Sequence, residues 1–226
     1  WDDAVVHLTI TIRVGAATED EARRSAELID IAANHEAGNL DVRTVFPEAS
    51  GADGGGYAVD YAVQVPRQAS VTIDNTFGDS IVSAVHGGTT IDSRYGVIEL
   101  TDLAGPVRVR ARGEFALTAQ GLEDGGYFLL RGTQASFREI QGTLHVSNYL
   151  GSVTLHPLQV EEADIDAESG PIHIYLPEGP PPRIEARVDF GRIESEVALS
   201  RDIQGSSEFA ELDAPGAAQR LSVHAA

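Results

Sequence analysis

Three residues whose side chains can act together recur at one spacing. Tyr127, His145 and Asp164 lie 18 and 19 residues apart, each in the middle of a short triplet. An imidazole beside a carboxylate holds a defined tautomer or ligates a metal, and a tyrosine ring offers a face to a sugar. The same position reads Thr72, Thr90 and Arg108 before them and Glu185 after them. If the triplets stack, these residues become neighbours one strand spacing apart. Arg108, Tyr127, His145, Asp164 and Glu185 are therefore the candidate outward ladder for a ligand or for assembly. Without a ligand, the same row is a solvated ladder of cross-strand pairs.

Other chemistry finds less support. The outward position of the second strand in each unit reads Ile81, Glu99, Ala116, Ser136, Thr154, His173 and Glu194. No two carboxylates are adjacent there, whereas glycoside hydrolysis needs a pair about 5–9 Å apart. Glu161-Glu162 and Asp164-Asp166 supply oxygens, but calcium takes about six to eight ligands and no calcium-loop spacing occurs. No metal and no cofactor is expected. The sequence has no Gly-x-Ser-x-Gly, no phosphate-binding loop and no His-Glu-x-x-His. Ser169-Gly170 and Ser206-Ser207 read as turns. His7, His35, His86, His156 and His224 fall far apart in the pattern and read as isolated surface residues.

The elements that would position the ladder are legible as periodicity. From Val71 onward the chain repeats an apolar-x-apolar strand, a corner marked by a small residue, and a second alternating strand. The corner markers are Gly78, Gly96, Gly113, Thr133, Gly151, Gly170 and Gly191. Their mean step is about 19 residues, inside the range of stacked repeats. Glycine at a corner permits a backbone angle that other residues resist. A β-sandwich also turns every 8–12 residues, but it has no need of self-similarity in register. The reading is an all-β chain, a β-solenoid or β-helix-like stack of about seven units. Stacking would align the apolar positions into interior columns.

Before the repeats, Val6, Leu8, Ile10, Ile12 and Val14 alternate with polar residues, the pattern of a half-buried strand. Thr18 and Glu21 form a capping box, which predicts a short helix to about Glu27. Leu28–Asn34 and Leu40–Phe46 read as two strands joined by a turn at 36–39. Pro47–Gly56 reads as a glycine-rich loop, and Tyr57–Val65 as a further strand. The expected division is an antiparallel region with one short helix over 1–66, packing as a cap, then the repeat stack over 67–200 and a C-terminal cap or tail over 201–226. Gly179-Pro180-Pro181-Pro182 cannot continue a ladder, and Arg220–Val223 could form a last strand.

Composition excludes several classes. The chain has 226 residues, no Cys and no Met, and 16 basic against 35 acidic residues for a net charge of −19. Every basic residue is Arg. Without Cys there is no disulfide framework, thiolate zinc site or Cys nucleophile. Such an acid excess disfavours nucleic acid, which needs a basic face, and anionic membrane surfaces. No run of 18 apolar residues would span a bilayer. The start at Trp1 rather than Met implies a processed product or a fragment.

Val71–Gly78, Ile91–Leu100 and Val146–Leu155 carry the repeat most clearly, with Tyr61–Pro66 leading in. On these stretches the chain resembles a bacterial adhesin-type β-repeat family, a domain of unknown function. The likeness extends over about 59–196. It implies a non-enzymatic, exported β-solenoid, at the cell surface or in the periplasmic or extracellular space, with no catalytic residues to carry over. It also implies an earlier rung missing before Trp1-Asp2-Asp3. The expected function is a structural or adhesive surface module whose partner is another copy, a glycan or an envelope component. Two alternatives stand beside it. One is a polysaccharide-lyase-like enzyme on a β-helix scaffold, which a groove of Arg and acids near Arg108–Arg112 would support. The other is an envelope-stress accessory protein.

Overall fold

The computed structural model describes residues 5–46, 56–157, 159–176, 178, 182–189, 193–214, 217 and 219–226. The chain divides into two compact units, Trp1–Pro66 and Arg67–Ala226.

In the first unit, β1 (His7–Val14) pairs antiparallel with β4 (Tyr57–Gln64) over its full length. Helix α1 (Glu19–Ala26) starts where the capping box places it: the Thr18 hydroxyl accepts the Glu21 N–H at 3.3 Å. Three acids in its first turn favour the positive end of the helix dipole. β2 (Asp30–Glu36) and β3 (Asn39–Val45) form a hairpin. Its two-residue turn has positive φ at both Ala37 and Gly38, which suits the twist of the strands. The loop expected at Pro47–Gly56 lies outside the described residues except for Gly56.

The second unit is a β-solenoid of about six turns. Each turn places one strand on a first face and one on a second. The first face carries β5 (Val71–Asn75), β7 (Thr89–Ser93), β9 (Val107–Arg112) and β11 (Gly125–Arg131), then the later half of β12 (Gln134–Tyr149) and β14 (Gln159–Glu168). The second carries β6 (Ser80–Ser83), β8 (Ile98–Leu103), β10 (Ala116–Leu122), the start of β12, β13 (Ser152–Leu155) and β15 (Ile172–Ile174). All these pairings are parallel, so equivalent residues stand about 4.8 Å apart along the stack. The inward residues meet between the faces. Ile91, Phe128 and Ile165 from the first face, with Leu100, Phe137 and Leu155 from the second, are almost fully buried. Phe128 and Phe137 meet edge to face at 4.8 Å.

The stack ends differently from the expected seventh unit. β16 (Arg183–Asp189) does not lie on β14. The C-terminal strand β19 (Arg220–Ala225) inserts between them, parallel to both, and buries Leu221 and Val223. β18 (Ser207–Leu212) then joins β16 antiparallel, and β17 (Ser200–Gln204) joins β18. The residues after Ser200 thus extend the solenoid's own sheet.

The corner glycines hold their places for two separate reasons. Gly96 has φ +133, and a Cβ there would overlap the carbonyl of Gly78 in the turn before. At Gly170 the backbone is ordinary, yet a Cβ would overlap the carbonyl of Gly151. Close approach of successive turns, not backbone angle, is what Gly151 and Gly170 supply. In those two turns the positive φ falls one residue earlier, on Leu150 and Ser169. In the fourth turn it falls on Gly132 rather than Thr133. Gly191 lies outside the described residues, as do Gly179, Pro180 and Pro181. The opposite corner repeats too: Ala84, Asp102, Gly121 and Glu139 share one register and all have φ between 53 and 67.

Candidate functional site

Parallel in-register pairing turns each outward position of the first face into a column. Thr72, Thr90, Arg108, Tyr127, His145 and Asp164 are successive partners. The Tyr127 and His145 rings are 6.2 Å apart between centroids, and His145 Nδ1 is 3.8 Å from Asp164 Oδ2. Glu185 is displaced from its expected place. The neighbour of Asp164 is Ser222 of β19, and Glu185 comes one strand later. The interposed strand is held from both sides by charge. Arg220 reaches Glu185 on β16 at 3.0 Å and Glu162 on β14 at 3.8 Å, and these carboxylates raise its pKa further. His224 lies 3.5 Å from Asp166 on β14 and 3.1 Å from Asp189 on β16.

Asp189 is the focus of that end. It accepts from the Ser207 hydroxyl, from His224 and from Arg187. Those hydrogen bonds, Ser207's first, pull its carboxyl pKa from 3.8 to about 2. Asp189 stands between Ser207 and His224, so the serine hydroxyl is given to a carboxylate rather than to an imidazole base. This arrangement anchors strands; a nucleophile needs its base within direct reach. The sequence pattern treated His224 as isolated, because its partners lie 35 residues or more away and only the inserted strand unites them.

Two further columns follow the first, both toward the C-terminal ends of the strands. One runs Asp74, Asp92, Arg110, Leu129, Ser147, Asp166, His224 and Arg187. In the other, Arg112 and Arg131 pair in register, then Tyr149 and Glu168 follow, with Arg94 beside Arg112 one residue beyond the Ser93–Ala111 pair. The Arg131 guanidinium stacks over the Tyr149 ring at 5.3 Å, a cation–π contact. Arg94, Arg112 and Arg131 line an open groove of about 530 Å³ with Tyr95, Leu150 and a single carboxylate, Glu114. Arginines near Arg108–Arg112 do gather, with acids at Asp92 and Glu114.

On the second face the outward column reads Ile81, Glu99, Thr118, Ser136, Thr154 and His173. Thr118 replaces the expected Ala116, because Gly113 stands one residue earlier in its turn than Gly96 does and the corner between β9 and β10 also holds one more residue than its neighbours. A parallel column on this face carries an unexpected contact: His156 stacks on Tyr175 at 5.4 Å and lies 3.4 Å from Arg138. The oxygens of Glu161-Glu162 and Asp164-Asp166 stay on exposed positions of β14. Among the described residues, no three His, Asp or Glu converge as a metal site would require. No described helix is long and apolar enough to cross a membrane. Compared with protein families, curated proteins and solved structures, the chain gives no match.

Proposed function

We propose that this chain is a non-catalytic, exported surface module that holds a partner against the first face of its solenoid. The observation that carries the reading is the exposed in-register row of Arg108, Tyr127, His145 and Asp164. It presents a cation, an aromatic ring, an imidazole and a carboxylate on a rigid frame, about 4.8 Å apart. A frame buried this evenly keeps its outward groups fixed, which lowers the entropy lost on binding. Tyr127 at 46% exposure and Tyr149 at 39% are the large aromatics such a face would press on a partner. The likeness to adhesin-type β-repeats supports the same reading and an extracellular or periplasmic place. The test combines sedimentation of the purified chain up to millimolar concentration with binding to a glycan panel and to isolated bacterial envelopes. Binding lost on Tyr127→Ala supports the reading. A monodisperse monomer with no glycan or envelope binding sinks it.

One observation favours a second reading. The groove of Arg94, Arg112 and Arg131 suits the carboxylates of an acidic polysaccharide, as a lyase-like enzyme would require. Product release from acidic polysaccharides, lost on Arg112→Ala, would favour it over the module.

A further inference from the structure

The charges of the first face reverse sign about its middle. Along the stack the strand order is β5, β7, β9, β11, β12, β14, β19, β16. The midpoint falls between β11 and β12. Turning a second copy over about an axis parallel to the strands at this midpoint brings the two faces together. It lays β9 over the partner's β14 and keeps every column over itself. Arg108 then faces Asp164, Arg110 faces Asp166 and Arg112 faces Glu168, since each pair shares a column. Farther out, β7 lies over β19 and β5 over β16, so Asp92 faces His224 and Asp74 faces Arg187. At the centre Tyr127 meets His145 and Arg131 meets Tyr149. In these three columns, no charge on the described strands meets its own sign.

We infer that a second copy of this chain docks on the first face as an isologous, two-fold dimer, on four oppositely charged column pairs and an aspartate–histidine pair around an aromatic centre. This rests on the reading of that face as a partner-binding surface and names the partner. A two-fold contact demands that each patch complement itself, and a row of charges antisymmetric about its centre satisfies that demand. Among the described residues, Arg108, Arg112, Asp74 and Glu168 form no ion pair within the chain. They are exposed and available to a partner. The arrangement also has the anatomy of an interface, with tyrosines and Arg131 at the centre and charged pairs at the rim. Eight strands of about five residues, two or three of them facing outward on each, give a footprint of roughly 600 Å², against about 800 Å² per partner in a standard complex. The dimer is therefore reversible and concentration-dependent.

The test is sedimentation equilibrium of the whole chain at about 0.15 M salt, where charges more than about 8 Å apart are largely screened. Wild type shows a monomer–dimer equilibrium. The acidic variant R108D/R112E and the basic variant D164R/E168R each place like charges across the axis. Each raises the dimer dissociation constant about tenfold or more. Mixed one to one, the two variants form a heterodimer, because every reversed pair is then opposite again. All four positions point outward, and far-UV circular dichroism checks folding. If a reversal variant misfolds, R108Q/R112Q weakens the dimer in its place. A monomer at every concentration overturns the inference, as does a dimer indifferent to these substitutions or a mixture that fails to associate. If the chain stays monomeric yet binds glycan or envelope through Tyr127, only the dimer falls and the module reading stands.

Discussion

Three alanine substitutions separate the two demands made on corner glycines. Gly205, in the turn between β17 and β18, has φ +65 and open space where a Cβ would sit. Gly205→Ala carries backbone strain alone, about 1–2 kcal/mol. Gly170 has an ordinary backbone, but its Cβ would overlap the Gly151 carbonyl of the preceding turn. That obstacle is backbone bonded into a parallel ladder, so one turn must move against another. Overpacking of this kind costs about 1–3 kcal/mol or more, and Gly170→Ala belongs at the upper end. Gly96 combines both faults: φ +133 and the Gly78 carbonyl. Strain of about 1–3 kcal/mol adds to a clash of similar size, so Gly96→Ala should lose about 2–6 kcal/mol. The assay is equilibrium urea unfolding followed by circular dichroism, with amide exchange as a local readout. The Gly78 N–H donates to the Tyr95 carbonyl at 3.0 Å, beside the forced contact, and its protection should fall in Gly96→Ala but not in Gly205→Ala. If Gly170→Ala loses no more stability than Gly205→Ala, close approach of turns is not what fixes these glycines.

Two further outcomes follow from the core and from the strand anchor. Phe128→Ala removes a fully buried ring that packs edge to face on Phe137 and should cost about 3–5 kcal/mol in the same unfolding assay. Asp189 has its folded pKa depressed from 3.8 to about 2, so its charge stabilises the fold fully above the unfolded value and loses that effect as pH falls through the folded one. An acid titration of stability should therefore steepen between these two values in wild type and be shallower in Asp189→Asn, with Glu211→Gln as a nearby control.

The sequence pattern carries the turns of the solenoid because one residue type serves one place in each. Ile91, Val109, Phe128, Val146 and Ile165 recur inward at the step of the stack, and the outward residues inherit the same register. The row Arg108–Tyr127–His145–Asp164 was legible for that reason. What periodicity encodes is which face a residue takes, not which strand lies beside it. Ile184-Glu185-Ala186 spells a further unit as well as any other triplet, yet β19 occupies the place next to β14. Nothing in the spacing reports that Leu221 and Val223 fill the interior there, or that Arg220 and His224 find carboxylates on both sides. The second-face column slipped by two residues, from Ala116 to Thr118, because the corner holds one added residue and Gly113 stands one place earlier in its turn than the other markers. The positive φ values of Ala84, Asp102 and Glu139 leave no mark of their own, although Gly121 in the same register was a signal that could have found them.

The distribution of acid over the molecule argues for one specific face. In the three central columns of the first face stand Arg94, Arg108, Arg110, Arg112, Arg131 and Arg187. Against them are Asp74, Asp92, Asp164, Asp166, Glu168, Glu185 and Asp189. Six cations against seven carboxylates leave this surface near neutrality, while the chain as a whole carries −19. Almost all of the excess therefore lies elsewhere. Net charge of this size suppresses unspecific association between copies. Across the first face the repulsion is relieved, and the order of charges favours one alignment: sliding the partner by one strand in one direction sets Asp92 opposite Asp166 and Arg131 opposite its own copy, and in the other direction moves Arg108 from Asp164 to Ser222 and Arg110 from Asp166 to His224. An acidic exterior and an antisymmetric face thus act together, the first suppressing unspecific association and the second favouring one register for the specific contact.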